Sequence, residues 1–421
     1  MTGLTPGKKY YFAVVVVDPE RNVRLSDYTS SPYPSRSTNT STSSAGNTVT
    51  VPSSRTISFE GHGYGHGTGM SQYGAEGAAQ DGEKYTAILS HYYPGTSLST
   101  KSGDIRVLIS ADTTDGVLVK AESGLKLHDI SGKRTIALPT TIGGKTVDRW
   151  HIIRTDSSAS RSKLQYRTTG SYTNYIYGGS ALTWSGDGEF TGPSTISLIL
   201  PSGSTMNLRG DVRSAKPSSG SGSRNTVNAL PIEDYVRGVI AAEMPNSWHA
   251  EALKAQAVAA RTYGVRSMSS SRYYDICSTT ACQVYGGQSR ETSSTDSAVK
   301  GTAGKILTYQ GSPAFTQFSS SSGGYTNNGS QPYLKAVSDP WDDWSGNKNH
   351  SWKISVSASK IEKAYSSIGT LKSLQVTKRN GLGDMGGRVS SLKLVGSKST
   401  KTISGTDARW AFGLRSDWFG F

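Results

Sequence analysis

Leu230-Pro-Ile-Glu-Asp-Tyr-Val-Arg-Gly-Val-Ile-Ala-Ala-Glu-Met-Pro245 is the stretch on which the reading of this 421-residue chain turns. Pro231 suits the first turn of a helix, and Glu233 and Asp234 complement the positive end of its dipole. Proline disfavours helical geometry in the residue before it, so Pro245 predicts a helix that stops near Glu243. Ser247 can cap a second helix through Trp248-His-Ala-Glu-Ala-Leu-Lys-Ala-Gln-Ala-Val-Ala-Ala-Arg-Thr-Tyr263, whose alanines suit close packing on several faces. Outside this pair the pattern changes. Residues 104–228 hold short apolar runs (Ile105–Ile109, Val117–Val119, Ile196–Leu200) between Gly, Ser, Asp and Asn turns, which is sandwich or barrel spacing. Residues 305–421 return to short strands, with one helical stretch near 359–367. The expected fold class is α+β and β-rich: a mixed, barrel-like sheet domain with a central helical pair and an all-β insertion.

Composition points the same way. Only 18% of residues are charged and 48 are glycine, which disfavours a helical bundle or coiled coil. The 22 Tyr, 8 Trp and 8 Phe suffice for a core and argue against wholesale disorder. No apolar run approaches the roughly 18 residues of a membrane span; the longest, Phe12–Val17, is strand-sized. The net charge of +14 favours an anionic partner, either nucleic acid or a cell envelope. The basic residues are scattered singly, so nucleic acid is the weaker reading and no nucleic-acid partner is expected.

Residues 1–32 resemble the end of a fibronectin type III domain, with Leu4-Thr-Pro-Gly-Lys-Lys-Tyr10 before the strand Tyr11–Val17. Two strands alone cannot bury an apolar face, so a poorly packed, truncated segment is expected, and any signal peptide would be lost with the missing part. Residues 33–55 read as a Ser/Thr-rich flexible linker and 56–421 as the main domain, with its β-rich subdomain at about 104–228.

Two further motifs carry chemistry. In Phe59-Glu-Gly-His-Gly-Tyr-Gly-His-Gly-Thr-Gly-Met-Ser-Gln-Tyr-Gly-Ala75, glycine occupies every second position from Gly61 to Gly69. An extended strand would then have one bare face and one presenting His62, Tyr64, His66 and Thr68. A tightly packed strand whose histidines only bond to neighbours is the plainer reading, and two histidines without a third ligand make no metal site. Cys277 and Cys282 lie five apart, which suits a local disulfide; two free buried thiols are the alternative.

Glu243 is the residue singled out for catalysis. A helix C-terminus disfavours an anion, and Ala241, Ala242 and Met244 add desolvation. Both effects raise a carboxyl pKa, and an acid kept protonated near neutral pH is what general acid catalysis needs. An ordinary surface glutamate at a helix end is the competing reading.

The glycine motif with His91-Tyr-Tyr-Pro-Gly-Thr96, and the Leu230–Pro245 motif with Glu251–Tyr263, together resemble the SpoIID/LytB family (stage II sporulation protein D and the amidase enhancer). Phe318-Ser-Ser-Ser-Ser-Gly-Gly-Tyr-Thr326, Arg388-Val and Phe412-Gly-Leu-Arg-Ser416 are lesser matches, and the resemblance covers about 57–421. It implies a secreted, cell-wall lytic transglycosylase acting on peptidoglycan glycan strands that lack stem peptides, with Glu243 as the catalytic acid. It also implies a second reading: a non-catalytic wall protein or enhancer of an N-acetylmuramoyl-L-alanine amidase. His66, Ser71, Gln72, Gln256, Arg261, Ser319 and Ser321 are candidates for binding the glycan. A structural ion pair is the alternative for Arg261, and Trp248, Trp341 and Trp344 for stacking on sugars are weighed against core packing. A hydrolase would need a second carboxylate, for which Asp339, Asp342 and Asp343 are available. Some members bind zinc with a histidine beside the second cysteine. Here that position is Ala281, so no cofactor is expected and the disulfide is favoured. The glycine motif opens the domain here, whereas the family closes with it. Residues 56–75 are therefore expected beside the C-terminal segment Phe412–Phe421, with His66 and Gln72 near Glu243.

Overall fold

The computed structural model describes residues 47–421. The fibronectin-like segment 1–32 and residues 33–46 of the linker lie outside the described residues. The described chain forms two compact units, a larger one of residues 67–320 and 326–337 and a smaller one of residues 47–66, 321–325 and 338–421.

The larger unit is built on two seven-stranded sheets, both open, so the expected barrel closure is absent. One sheet runs in the order Ile276–Cys277, Asp104–Leu108, Asn225–Pro231, Asp211–Ala215, Gly188–Thr191, Lys126–Asp129 and Arg134–Ala137. The other is centred on Gly116–Lys120 and Arg149–Arg154. Alternation explains the first sheet: Ile105 and Val107 are buried, while their neighbours Asp104, Arg106 and Leu108 are partly or fully open.

Helices α1 (Gln72–Gln80), α2 (Tyr85–Tyr92), α3 (Ile232–Glu243), α4 (Ala250–Ser267) and α5 (Ser293–Gly301) complete this unit. The strand Asn225–Pro231 runs directly into α3, which ends at Glu243 ahead of Pro245, as the proline spacing predicts. Helix α4 starts later than expected. Its cap is His249, whose Nδ1 accepts from the Glu251 amide at 3.3 Å, and not Ser247. The alanines Ala252, Ala255, Ala257, Ala259 and Ala260 are buried all around α4, because it packs against α1, α2, α3 and α5. A helix hydrophobic on every side is a core helix.

In the smaller unit, one sheet holds Thr48–Thr50, Leu371–Arg379, Val389–Gly396 and Thr400–Ile403, and another holds Ser351–Ser357, Thr56–His62 and Phe419–Gly420. Helices α6 (Ala358–Ala364) and α7 (Gly405–Phe412) pack with them. Thr48–Thr50 falls within the stretch read as linker; pairing to Ser373–Gln375 orders it. Thr56–His62 pairs antiparallel with Phe419–Gly420, the adjacency expected from the motif order. Phe59 carries that junction, with ring centroids 5.9 Å from Phe412, 5.7 Å from Phe419 and 5.3 Å from Phe421.

The glycine motif does not continue as a strand. It ends at His62, and Gly63, Gly65, Gly67 and Gly69 adopt φ of +73°, +111°, +71° and +72°. Such left-handed steps are cheap only for glycine, and they replace the expected two-sided ribbon with a string of turns. Within it His62 is half-buried, Tyr64 and His66 are exposed and Thr68 is buried.

Candidate active site

The larger unit gathers its chemistry around the end of α3. Glu243 closes that helix and is half-buried. Desolvation by burial raises its carboxyl pKa above the ordinary value; a hydrogen bond from the Val284 amide to Oε1, 2.9 Å, and the nearby Gln72 carboxamide pull in the opposite direction. Burial prevails, so the group holds its proton to higher pH than a free glutamate. No second carboxylate among the described residues bears on it.

Val284 sits where it does because the loop around it is held at several points. Ile276–Cys277 adds in parallel to Asp104–Leu108, the strand that also carries Asn225–Pro231. Cys277 and Cys282 are joined in a disulfide with Cα atoms 5.5 Å apart. The Tyr235 hydroxyl donates to Gln283 Oε1 at 2.7 Å, and the Tyr285 hydroxyl to Asn228 Oδ1 at 2.8 Å. The rings of Tyr235 and Tyr285 stack at 5.5 Å. Gly238 makes room for this: a Cβ there would lie 2.5 Å from the Tyr285 ring. One sheet therefore delivers both the acid and the amide that faces it.

The opposite wall comes from α1. Gln72 is its first residue, and Gln72 Nε2 is buried without a formed hydrogen bond among the described residues. The Gln72 side chain lies close enough to the Glu243 carboxyl to favour its ionised form. Ser319 pairs in parallel with Ser71, immediately before Gln72, and the Ser319 hydroxyl is likewise buried with no hydrogen-bond partner among the described residues. Unmet hydrogen-bonding groups in a native structure call for an explanation, and a polar ligand supplies one. Tyr73 and Trp248, both half-buried, meet edge to face at 4.8 Å next to this wall.

Replacing Gln72 by leucine removes a group that favours the ionised form. The Glu243 pKa then rises further, and the acid stays protonated to higher pH. The alkaline limb of the kcat/KM profile on peptide-free glycan is expected to move to higher pH; an unmoved limb, or one that moves down, contradicts the assigned contact.

Among the other expected glycan-binding residues, Ser71 and Arg261 have structural bonds of their own and Gln256 is enclosed. Ser71 is the N-cap of α1, accepting from the Gly74 amide at 3.0 Å. Arg261 is fully buried, with Nε and Nη2 both 2.8 Å from the carboxylate of Glu233 and Nη1 3.0 Å from the Lys305 carbonyl. The ion-pair alternative describes it, since a buried guanidinium is kept only when its donors are matched. Gln256 is completely enclosed on α4, so no ligand in solution reaches it. Ser321 belongs to the smaller unit and donates to Asp342 Oδ2 at 2.8 Å. His66 is exposed in that unit.

The acidic trio also lies in the smaller unit. Asp342 is fully buried and accepts from Ser321, the Ser322 and Gly323 amides, Asn347 and His350 Nδ1. Asp339 is buried and Asp343 is exposed. His350 is shifted upward: burial opposes the charge, but the hydrogen bond and charge of Asp342 outweigh it. Among the described residues no cluster of three or more His, Cys, Asp or Glu is placed to hold a metal ion.

The family-model match falls within the larger unit. Residues 220–309 match the SpoIID family, described as stage II sporulation protein. The SpoIID match takes in Glu243, Val284 and both cysteines, but neither Gln72 nor Ser319. Stage II sporulation protein D of Bacillus amyloliquefaciens is 36% identical over 217 residues, covering 46% of this chain and 61% of that protein. The amidase enhancer of Bacillus subtilis is 40% identical over 170 residues, 39% of this chain and 22% of its own length. Stage II sporulation protein D of Bacillus subtilis is 42% identical over 140 residues, 28% of this chain and 41% of its own length. The chain thus spans less than two thirds of the length of each of these relatives.

Proposed function

We propose that the protein is a secreted cell-wall enzyme of the lytic transglycosylase type, cutting MurNAc–GlcNAc bonds in peptide-free glycan strands with Glu243 as general acid and base. The observation that carries this reading is a carboxyl whose pKa burial raises, faced by the Val284 amide, with no second carboxylate bearing on it among the described residues. The chemistry needs one such group. Glu243 gives its proton to the bridging oxygen as the bond from the MurNAc anomeric carbon breaks. The carboxylate then takes the proton of the MurNAc 6-hydroxyl, whose oxygen closes on the anomeric carbon. The products are a 1,6-anhydro sugar and a free GlcNAc 4-hydroxyl; the proton is back on Glu243 and no water is consumed. A hydrolase would need a second carboxylate about 5–5.5 or 6.5–9.5 Å from the first. The anionic wall also suits the charge of +14.

A second reading, a non-catalytic glycan binder or amidase enhancer, is favoured by the likeness to the Bacillus subtilis amidase enhancer. Mass spectrometry of products from peptide-free strands separates the readings. Ends in 1,6-anhydroMurNAc are expected. Reducing ends would mean hydrolysis, and intact strands with folded protein would favour the binder or enhancer.

A further inference from the structure

One surface of the smaller unit has the make-up of a carbohydrate platform. Trp410 is 72% exposed and Tyr64 46% exposed. Trp410 lies on α7, whose buried residues are Gly405, Ala408 and Phe412, so its indole is on the side of the helix that the core does not use. Tyr64 is held outward by its backbone: it bridges Ser321, and Gly63 and Gly65 on either side take positive φ. The backbone brings the two segments together: the Gly65 amide donates to the Arg415 carbonyl at 3.0 Å and the Leu414 amide to the Arg409 carbonyl at 2.9 Å, which places Arg409 beside both. Its guanidinium carbon stands 4.7 Å over the Trp410 ring, and Tyr64 is within its electrostatic reach.

Arg409 is half-buried, and its guanidinium has no hydrogen bond or ion pair among the described residues. The carboxylate that bears on it, Asp417, is taken by Arg388 at 2.6 Å. An arginine with five unused donors, packed on an aromatic face, is preorganised for a carboxylate. Two exposed rings beside it offer flat apolar surface to the C–H faces of sugar rings. Exposed apolar surface rimmed by charge marks an interaction site rather than a packing accident. An anionic glycan matches both the rings and the unpaired cation.

We propose that Tyr64, Arg409 and Trp410 form a glycan-binding platform for sugar chains carrying carboxylates, made of none of the residues assigned to the Glu243 site. The choice of wall glycan as occupant rests on the proposed function; the aromatic–arginine surface does not. The platform holds a strand by stacking and by a charge-assisted hydrogen bond from Arg409, so binding weakens with added salt.

The test uses the full chain carrying Glu243→Gln, so that strands are not consumed. Affinity for peptide-free glycan strands, whose MurNAc residues bear lactyl carboxylates, is measured by calorimetry beside the neutral oligomer of GlcNAc. Strands are expected to bind more tightly than the neutral oligomer. Trp410→Ala and Tyr64→Ala are each expected to weaken strand binding about tenfold, with circular dichroism unchanged, and Trp410→Phe to restore most of it. Equal binding by parent and both alanine variants overturns the platform, as does a parent that binds no strands. A concentration-dependent dimer in sedimentation that Trp410→Ala abolishes would assign the surface to a second copy of the chain and also overturn it. Failure of cleavage alone affects the Glu243 reading and leaves this one standing.

Discussion

Glu243→Gln is expected to cut the rate of glycan cleavage by about 10²–10⁴-fold, the usual worth of a positioned general acid, and to remove the 1,6-anhydroMurNAc ends. The amide keeps the shape of the carboxyl, and its oxygen can still accept from Val284, now 2.9 Å from Oε1. The fold is therefore expected to persist. Ionising Glu243 opposes its burial, so its contribution to stability is fully present below the ordinary carboxylate range and is lost as pH rises through the raised folded value. The glutamine variant lacks that term, and its stability should decline less over that interval. Steady-state kinetics on peptide-free strands and thermal melts across pH read both effects. Unimpaired cleavage by the variant would dismiss Glu243 as the acid, and the lone-carboxyl mechanism with it.

Asp342→Ala is expected to destabilise the smaller unit by about 3–5 kcal/mol, the cost of leaving a buried partner unmatched. Asp342 is fully buried and collects donors from Ser321, Asn347, His350 and two backbone amides. Removing it strands the buried donors among them, Ser321 and Asn347 included, away from water. The chain has two units, so the readout is the lowest transition in calorimetry, which should fall by several degrees. A melt that does not move would show that the network contributes little and would reopen Asp342 to another role. The saturation of both its oxygens is also why it is ill suited to serve as the second carboxylate of a hydrolase.

The helical pair was legible because its signals are local. Pro245 ends α3 by steric conflict with the preceding turn, and the run of alanines marks α4 as a helix buried on all sides. The elevated pKa of Glu243 was legible for the same reason, since helix end and apolar neighbours are read along the chain. The glycine motif was misread where alternation was taken for a strand; the backbone freedom of glycine was the overlooked signal, and it turns the segment at Gly63, Gly65, Gly67 and Gly69. For Arg261, burial on α4 suggested pairing, but only the structure shows Glu233 as the partner. Val284 escaped notice entirely. Its contribution is a backbone amide, which no side-chain pattern advertises. Arg409 and Trp410 were equally silent, because exposure is not written in residue type.

By itself the sequence determined the β-rich class, the two central helices, the position of Glu243 at a helix end and the pair of cysteines able to bridge. These follow from backbone sterics and residue chemistry acting over a few neighbours. Only the tertiary structure decided what surrounds Glu243. Val284 lies 41 residues further along the chain, and it reaches the carboxyl because Ile276–Cys277 and Asn225–Pro231 pair with the two edges of one strand. Gln72 arrives on a different helix. Strand pairing and helix packing bring remote segments together according to the shape of the whole core, and local periodicity carries no record of which remote segment that will be.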